Sequence, residues 1–267
     1  VALRQARAGE LTEWKGMAFG SVDHSAVVAA ELAAEGIHGP TSIFEGRFGF
    51  WNQVSGEFTL DVGAFGGRGG RFKINETLVK FYPVEYHAQA AVGCALSLRK
   101  EHSIEPDEIE RIENETYEAA VSIIADEEEK WRPETRETAD HSMPYCIART
   151  FLDGEMTLAQ FGEGKYTDPA VLDLMDRVEV MENPDFTDRY GQSFPHRMVV
   201  HTTEGSYERK VEFPKGHYEN PLTDAELATK FETATAGRLD DDERRAIIEA
   251  TRDLPDLERV SLLTSRL

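Results

Sequence analysis

A few lysine, histidine and tyrosine residues interrupt segments that are otherwise apolar or tightly turned, and these side chains can do acid–base chemistry. They are Lys15, Lys80, His87, His141, Tyr145 and His217. The chain has only 9 lysines, so a lysine beside Trp14 or between Val79 and Phe81 is unusual. Taken singly, each has an ordinary structural explanation, such as a lysine whose stem packs on apolar groups while its ammonium reaches solvent, or a core tyrosine whose hydroxyl is hydrogen-bonded. Together they predict a cationic pocket for a carboxylate, in which lysine binds the anion and histidine or tyrosine moves a proton.

The patterns of other catalytic sites are incomplete. Residues 63–70 are glycine-rich, but a phosphate-binding loop also needs a Lys-Ser/Thr pair or a preceding strand, and then a helix. A flexible interdomain loop is the better interpretation of that run. Asp140-His141 with a distant serine could form a hydrolase triad, yet no GxSxG turn supports one.

Metal and cluster chemistry is also poorly supported. The chain has 8 histidines but no HxxxH or HExxH pair, and His38, His102 and His196 lie in loop-like contexts where we expect them to be solvated. Cys94 and Cys146 are too few for a disulfide framework or for the thiolates of an iron–sulfur cluster. We therefore expect no metal site.

Charge excludes further classes of function. The chain of 267 residues has 50 Asp and Glu against 29 Lys and Arg, a net charge of -21 that repels nucleic acid and anionic lipid. Arginine outnumbers lysine 20 to 9, as suits a protein in concentrated salt, although an ordinary acidic protein remains the alternative. With no apolar run long enough to span a bilayer and no leader, we expect a cytoplasmic protein. The chain begins at Val1 in what reads as the middle of a helical region, so we expect a missing N-terminal part.

Periodicity and capping signals predict the elements that position these residues. A helix over 23–35 would have Asp23 as N-cap and Gly36 as C-cap, and residues 36–70 read as an irregular loop system with short helices. The alternation in 196–213 predicts a hairpin, and Thr223 with Glu226 forms a capping box. The remaining expectations are helices over 86–100, 142–153, 168–176 and 240–254, strands over 109–121 and 177–182, and a surface loop over 126–140.

Helices at both ends thus enclose a central segment with strands. This order predicts an α+β fold in which a helical domain is interrupted by an inserted smaller domain. A helical domain of which only part is present would occupy 1–75, an α+β lid domain 76–212, and helices returning to the helical domain 213–267.

Six motifs in order resemble one known family over nearly the whole chain. They are WKGMAFG, AAELAAEGIHGPTSIFEGRFGF, FKINETLVKFYPVEYHAQAAV, ADHSMPYCIARTFLDG, NPDFTDRYG and FPKGHYENPLT. They look like motifs of the MmgE/PrpD family, which contains 2-methylcitrate dehydratase and cis-aconitate decarboxylase. The FKINETLVKFYPVEYHAQAAV and FPKGH segments look closer to the dehydratase branch. The resemblance implies an all-helical domain with an inserted α+β lid, a homodimer, and no metal or organic cofactor.

The resemblance also implies site residues. Lys15, Lys80 and Tyr145 match positions that line the family's active-site cleft, and His87 matches a histidine of the dehydratase branch. We expect Lys80, Tyr145 and His87 to be catalytic, and Lys15 and His141 to bind substrate. Lys15 and Lys80 would hold carboxylates and stabilise charge, while Tyr145 and His87 would transfer protons or donate hydrogen bonds.

The expected function is cofactor-free dehydration of 2-methylcitrate, or a similar tricarboxylate, to 2-methyl-cis-aconitate in propionate catabolism. One alternative is a related carboxylate lyase, decarboxylase or isomerase of the same family. Another is a catalytically silent fragment that acts only as a lid or dimerisation unit. The family's other active-site histidines lie in the part that we expect to be missing.

Overall fold

The computed structural model of the chain describes residue 9 and residues 11–59, 61–67 and 69–265. Most of the segment before Trp14, where the sequence reads as helical, lies outside the described residues. The helices are α1 (Trp14–Ala34), α2 (Gln89–His102), α3 (Glu118–Ile124), α4 (Glu128–Trp131), α5 (Arg136–Ala139), α6 (Met143–Asp153), α7 (Pro169–Met175), α8 (Pro184–Thr187), α9 (Asp224–Thr235), α10 (Asp241–Arg252) and α11 (Ser261–Thr264). The strands are β1 (Ile109–Thr116), β2 (Val178–Glu182), β3 (His196–Thr202) and β4 (Gly205–Val211).

The four strands form one mixed sheet in the order β2-β1-β3-β4. Strands β1 and β2 are parallel, with Ile112 opposite Val178, and the chain from α3 to α7 makes the long crossover that a parallel pair requires. Strand β3 is antiparallel to β1 and to β4. The β3–β4 pair confirms the hairpin predicted over 196–213, because its alternation of apolar and polar residues matches a half-buried sheet.

The two faces of the sheet differ. On one face the β1 side chains Ile112, Asn114 and Thr116 are buried, and α2 and α6 cover that side. On the other face arginines lie between glutamates of neighbouring strands: Arg111 pairs with Glu179, at 2.6 Å. The α6 side chains from Met143 to Phe151 are all buried, so α6 is the central helix of the core.

Helix α6 matches the prediction over 142–153 because its end signals are strong. The hydroxyl of Ser142 accepts a hydrogen bond from the amide of Tyr145 at 3.1 Å, and Pro144 lies in the first turn. At the other end Gly154 has a φ of 71°, a left-handed conformation that costs glycine little.

Other boundaries differ from the predictions. Helix α1 begins at Trp14, so Asp23 lies inside it and is not an N-cap. Because apolar or small residues surround most of the helix, the periodicity of its sequence does not indicate where it begins. The helix ends at Ala34, and the predicted terminating glycine, Gly36, follows with a φ of 83°. The strand expected over 109–121 ends at Thr116, and Glu118 begins α3 instead.

The segment 126–140 is not the simple surface loop that its acidic composition predicts. It contains α4 and α5, and the side chain of Lys130 is fully buried. The Lys130 ammonium lies 3.3 Å from the carbonyl oxygen of Gly9 and 3.4 Å from a carboxylate oxygen of Glu127. A lysine in a polar segment can be buried, because its long stem packs as an apolar group once its ammonium is paired.

Strands gathered in one sheet between helical ends make this a mixed α and β protein. The division into residues 1–75, 76–212 and 213–267, with the middle part as an inserted lid, stays a prediction. Within the described ranges, no helix has both the length and the apolar character that crossing a bilayer requires.

Candidate active site

Three separated parts of the chain meet at the candidate site. They are the first turn of α1, the short 3-10 turn Tyr86–Ala88 that leads into α2, and the end of α5. The amide of Glu85 donates a hydrogen bond to the carbonyl of Asp140 at 2.8 Å, which fixes the second part against the third. The buried amide of Gln89 bonds the backbone of Phe81 and Tyr82, so it also holds the segment that carries Lys80.

Lys15, Asp140 and His141 form a compact polar cluster. The Lys15 ammonium lies 2.5 Å from a carboxylate oxygen of Asp140 and 2.5 Å from the carbonyl oxygen of Glu137. The same Asp140 oxygen accepts a hydrogen bond from Nδ1 of His141. The structure therefore brings together the two residues predicted to bind substrate, and it adds a carboxylate between them.

Burial and charge shape the protonation of this cluster. Burial would raise the pKa of the Asp140 carboxyl, but the His141 hydrogen bond and the Lys15 charge hold that pKa below its ordinary value. Burial lowers the pKa of Lys15 despite its partner Asp140. Burial also lowers the pKa of His141, so at neutral pH its imidazole is uncharged beside an ionised Asp140.

His87, predicted to be catalytic, is buried against Tyr117, which is not among the predicted site residues. Nδ1 of His87 lies 2.6 Å from the Tyr117 hydroxyl, and the two rings meet edge to face. Burial lowers the pKa of His87 and raises the pKa of Tyr117, so both are uncharged at neutral pH. The amide of His87 donates to the Glu85 carboxylate at 2.5 Å. Tyr190 stacks on Tyr117, with ring centroids 4.6 Å apart.

Lys80 is the exposed cation of this region. It has no hydrogen bond or ion pair in the part of the chain that the structure describes. Burial lowers the pKa of Lys15 and of His87, and the charge of Lys80 lowers both further, which places its ammonium within electrostatic reach of both groups. An unpaired cation at the rim of a buried acid–base cluster is suited to a carboxylate ligand.

Tyr145 does not join this group. It is fully buried in α6, its hydroxyl donates to the carbonyl of Gln160, and its ring packs near Phe161. Burial raises the pKa of Tyr145. The expected proton-transfer role of Tyr145 stays a prediction, and in this arrangement its hydroxyl serves the core.

Two further histidines belong to an aromatic core behind His87. His196, expected to be solvated, is instead fully buried at the start of β3, because it continues the inward-facing side of that strand. His217 is also buried, and its Nδ1 accepts a hydrogen bond from the amide of Glu219 at 3.0 Å. Phe194 lies between them, with its ring 5.8 Å from that of His217.

Sequence reasoning missed Tyr117 and Glu85 as members of the site. Glu85 is two residues before His87, a spacing that a search for acid–base pairs could have detected. Tyr117 follows the end of β1 and gives no local sign that its hydroxyl meets an imidazole 30 residues away. Among the described residues, no group of three or more histidine, cysteine or acidic side chains is placed to hold a metal ion.

Comparisons with known proteins agree with the motif resemblance. A model of the MmgE/PrpD C-terminal domain matches residues 82–255, and a model of the N-terminal domain matches residues 1–62. The chain is 29% identical to a 2-methylcitrate dehydratase of Cupriavidus necator over 94% of this chain and 52% of that protein. It is 26% identical to the 2-methylcitrate dehydratase of Escherichia coli K12 over 92% of this chain and 52% of that protein.

A human cis-aconitate decarboxylase is also similar, with 23% identity over 97% of this chain and 54% of that protein. The chain thus spans about half the length of the curated relatives that it matches. The C-terminal model alone covers more than half of the chain, and the polar cluster around His141 and His87 lies within its range. The chain belongs to the MmgE/PrpD family.

Proposed function

We propose that this site removes water from 2-methylcitrate, or a similar tricarboxylate, to give 2-methyl-cis-aconitate. The supporting observation is that the Lys15–Asp140–His141 cluster adjoins the His87–Tyr117 pair, with the unpaired Lys80 at its rim. Relatives named 2-methylcitrate dehydratase at 26% and 29% identity support the choice of substrate. A role in propionate catabolism, a cytoplasmic location and a homodimeric state belong to the same proposal.

The reaction needs three kinds of group. A base takes the proton from the carbon next to a carboxylate, an acid gives a proton to the leaving hydroxyl, and cations hold the carboxylates while negative charge develops. An uncharged imidazole has the lone pair that a base requires, and both His87 and His141 are uncharged at neutral pH because burial lowers their pKa. The chain's own side chains therefore offer candidates for each role.

The lysines are not equivalent in this proposal. Lys15 is already paired with Asp140, so its charge is largely neutralised and it mainly orders the cluster. Lys80 is exposed and unpaired among the described residues, so a substrate carboxylate gains most from contact with it. In a protein with a net charge of -21, one local cation can decide whether a trianion binds.

The test is turnover of 2-methylcitrate by the chain, followed by absorbance of the unsaturated product. Lys80→Met should raise KM by about 10-fold or more, since a charge-assisted bond is worth about 1.5–3 kcal/mol. Lys100→Met is the matched control, because Lys100 is also exposed and without a described partner but lies at the far end of α2. Equal kinetics for Lys80→Met and the unchanged chain would contradict the binding role, and no turnover by the unchanged chain would contradict the proposed activity.

The similarity to a cis-aconitate decarboxylase favours one second candidate, in which the same pocket takes cis-aconitate and releases carbon dioxide. Mass spectrometry of the products from both substrates distinguishes the two reactions. A catalytically silent chain that serves only in assembly would bind neither substrate.

A further inference from the structure

In both histidines of the site, every described side-chain hydrogen-bond contact of the ring involves Nδ1. His141 bonds Asp140 through Nδ1, and His87 bonds Tyr117 through Nδ1. In the described part of the chain, Nε2 of each ring has no hydrogen-bond partner. Neither Nε2 atom is fully buried. Both Nε2 atoms are therefore accessible to a ligand, and the partner at Nδ1 decides whether each of them carries a proton.

Asp140 determines the tautomer of His141. An ionised carboxylate only accepts hydrogen bonds, so Nδ1 of His141 must carry the proton that it donates to Asp140. The Lys15 ammonium is 3.3 Å from the same Nδ1, but it is itself a donor and bonds the Asp140 oxygen instead. Nε2 of the uncharged His141 is consequently left with its lone pair free, as in carboxylate–histidine pairs that hold an imidazole as a base.

Tyr117 determines the opposite tautomer of His87. The Tyr117 hydroxyl is fully buried and has no other partner among the described residues, so its proton can be satisfied only by donation to Nδ1 of His87. If His87 donated instead, the hydroxyl proton would be buried without an acceptor, at a cost of about 1–3 kcal/mol. Uncharged His87 therefore carries its proton on Nε2.

We propose that Asp140 and Tyr117 set opposite tautomers on two neighbouring histidines, so that His141 is the base of the reaction and His87 is the proton donor. This assignment rests on the proposed function. Tyr117 acts here as a positioning residue, because it orients His87 and does not meet the substrate. The backbone bond between Glu85 and Asp140 keeps the two histidine-bearing segments together.

The elimination moves one proton to His141 and one proton from His87. Nε2 of His141 takes the proton from the carbon next to a carboxylate, and the electron pair of that C–H bond forms the double bond. The C–O bond breaks with its electron pair on the hydroxyl, which takes the Nε2 proton of doubly protonated His87 and leaves as water. In that form Nδ1 donates to the Tyr117 hydroxyl, and the negative charge of a bound tricarboxylate offsets the cost of about 1–3 kcal/mol for leaving the hydroxyl proton without an acceptor. Nε2 of His87 carries a proton before the transfer in both the charged and the uncharged form, and after the transfer His87 is uncharged with its remaining proton on Nδ1.

Long-range proton–nitrogen correlation spectra of the chain with 15N-labelled histidine test the tautomers directly. The signals of His87 and His141 are assigned with His87→Gln and His141→Gln among the 8 histidines. At about pH 7.5, above the ordinary histidine pKa, we expect His87 to be protonated at Nε2 and His141 at Nδ1. The same tautomer on both rings of the unchanged chain would overturn the proposal.

Tyr117→Phe supplies the second arm. Loss of the hydroxyl should convert His87 wholly or partly to the Nδ1-protonated tautomer while His141 stays as it was. Tyr190→Phe is the matched control, since Tyr190 stacks on Tyr117 but its hydroxyl has no described bond to His87. An unchanged His87 signal in Tyr117→Phe would overturn the role of Tyr117, and a shift of equal size in Tyr190→Phe would do the same.

Kinetics separate this proposal from the proposed function. His141→Gln should lower kcat by about 10²–10⁴-fold, the usual effect of removing a general base. Turnover of 2-methylcitrate with equal tautomers, or with kcat unchanged in His141→Gln, contradicts the acid–base assignment and leaves the activity standing. The expected tautomers without any turnover contradict the activity and its roles, while the hydrogen-bond assignment holds.

Discussion

Acid should destabilise this protein through His196, which is fully buried at the start of β3. Its Nδ1 lies 3.3 Å from the carbonyl oxygen of Phe194, Nε2 has no partner in the described part of the chain, and the Tyr117 ring is 5.8 Å away. Protonation would place a charge in this aromatic core. Burial accordingly lowers the pKa of His196 to about 4.

The size of the effect follows from linkage. The unfolded chain binds the proton below an ordinary pKa of about 6.5, whereas folded His196 resists it until about 4. Stability therefore falls as pH is lowered from about 6.5, and the loss levels off below about 4. A difference of about 2.5 pKa units at 1.36 kcal/mol each gives a loss of about 3 kcal/mol from this one residue.

Urea unfolding of the chain and of His196→Phe, between about pH 7.5 and 4 at constant ionic strength, measures the loss. Burial also lowers the pKa of His87, His141 and His217, and these contribute acid sensitivity to both proteins equally. The difference between the two slopes therefore isolates His196. His102→Phe, at an exposed histidine, should keep the original slope. A slope in His196→Phe as steep as that of the unchanged chain would refute the reasoning.

Three further predictions concern the core and the surface charge. Tyr145→Phe should cost about 1 kcal/mol in urea unfolding through the lost bond to Gln160 and leave kcat/KM nearly unchanged, so a large loss of kcat would instead restore its expected catalytic role. Arg149→Met should cost about 1–3 kcal/mol, because the buried guanidinium pairs with Asp153 and Asp168, whose partly exposed carboxylates water can solvate after the change; an unchanged free energy of unfolding in the same assay would be inconsistent with that network. Potassium chloride raised from about 0.1 to 2 M should increase Tm, since salt screens the repulsion behind a net charge of -21; calorimetry showing a constant or falling Tm would argue against it.

Elements with a local signal could be predicted from the sequence. The hairpin β3–β4 alternates apolar and polar side chains, and α6 has Ser142 before it and Gly154 after it. Helix α1 lacks such a signal at its start, because its first turns have no N-cap hydrogen bond and no clear polar face. The predicted strand runs past the end of β1 at Thr116, because Tyr117 suits a strand as well as the start of a helix.

In the site, too, features with a local sequence signal could be predicted and long-range contacts could not. Unusual contexts identified Lys15, Lys80, His87 and His141 individually, because a polar residue in an apolar segment is visible in the sequence. What joins them is long-range: the Lys15–Asp140 contact spans 125 positions and the His87–Tyr117 contact 30. Hydrogen-bond partners at such separations depend on the packing of the whole domain, so neither the partners of the two imidazoles nor the burial of Tyr145 could be predicted from the sequence.

The salt bridge of Lys15 with Asp140 has a consequence for motion. Lys15 lies in the first turn of α1, whereas Asp140 holds the proton on Nδ1 of His141. Displacing α1 would withdraw the ammonium from Asp140, and the stronger field of the freed carboxylate would increase the proton affinity of His141. Linkage is reciprocal, so protonating His141 must by the same free energy loosen the hold on α1. The position of α1 and the protonation of His141 are therefore thermodynamically coupled.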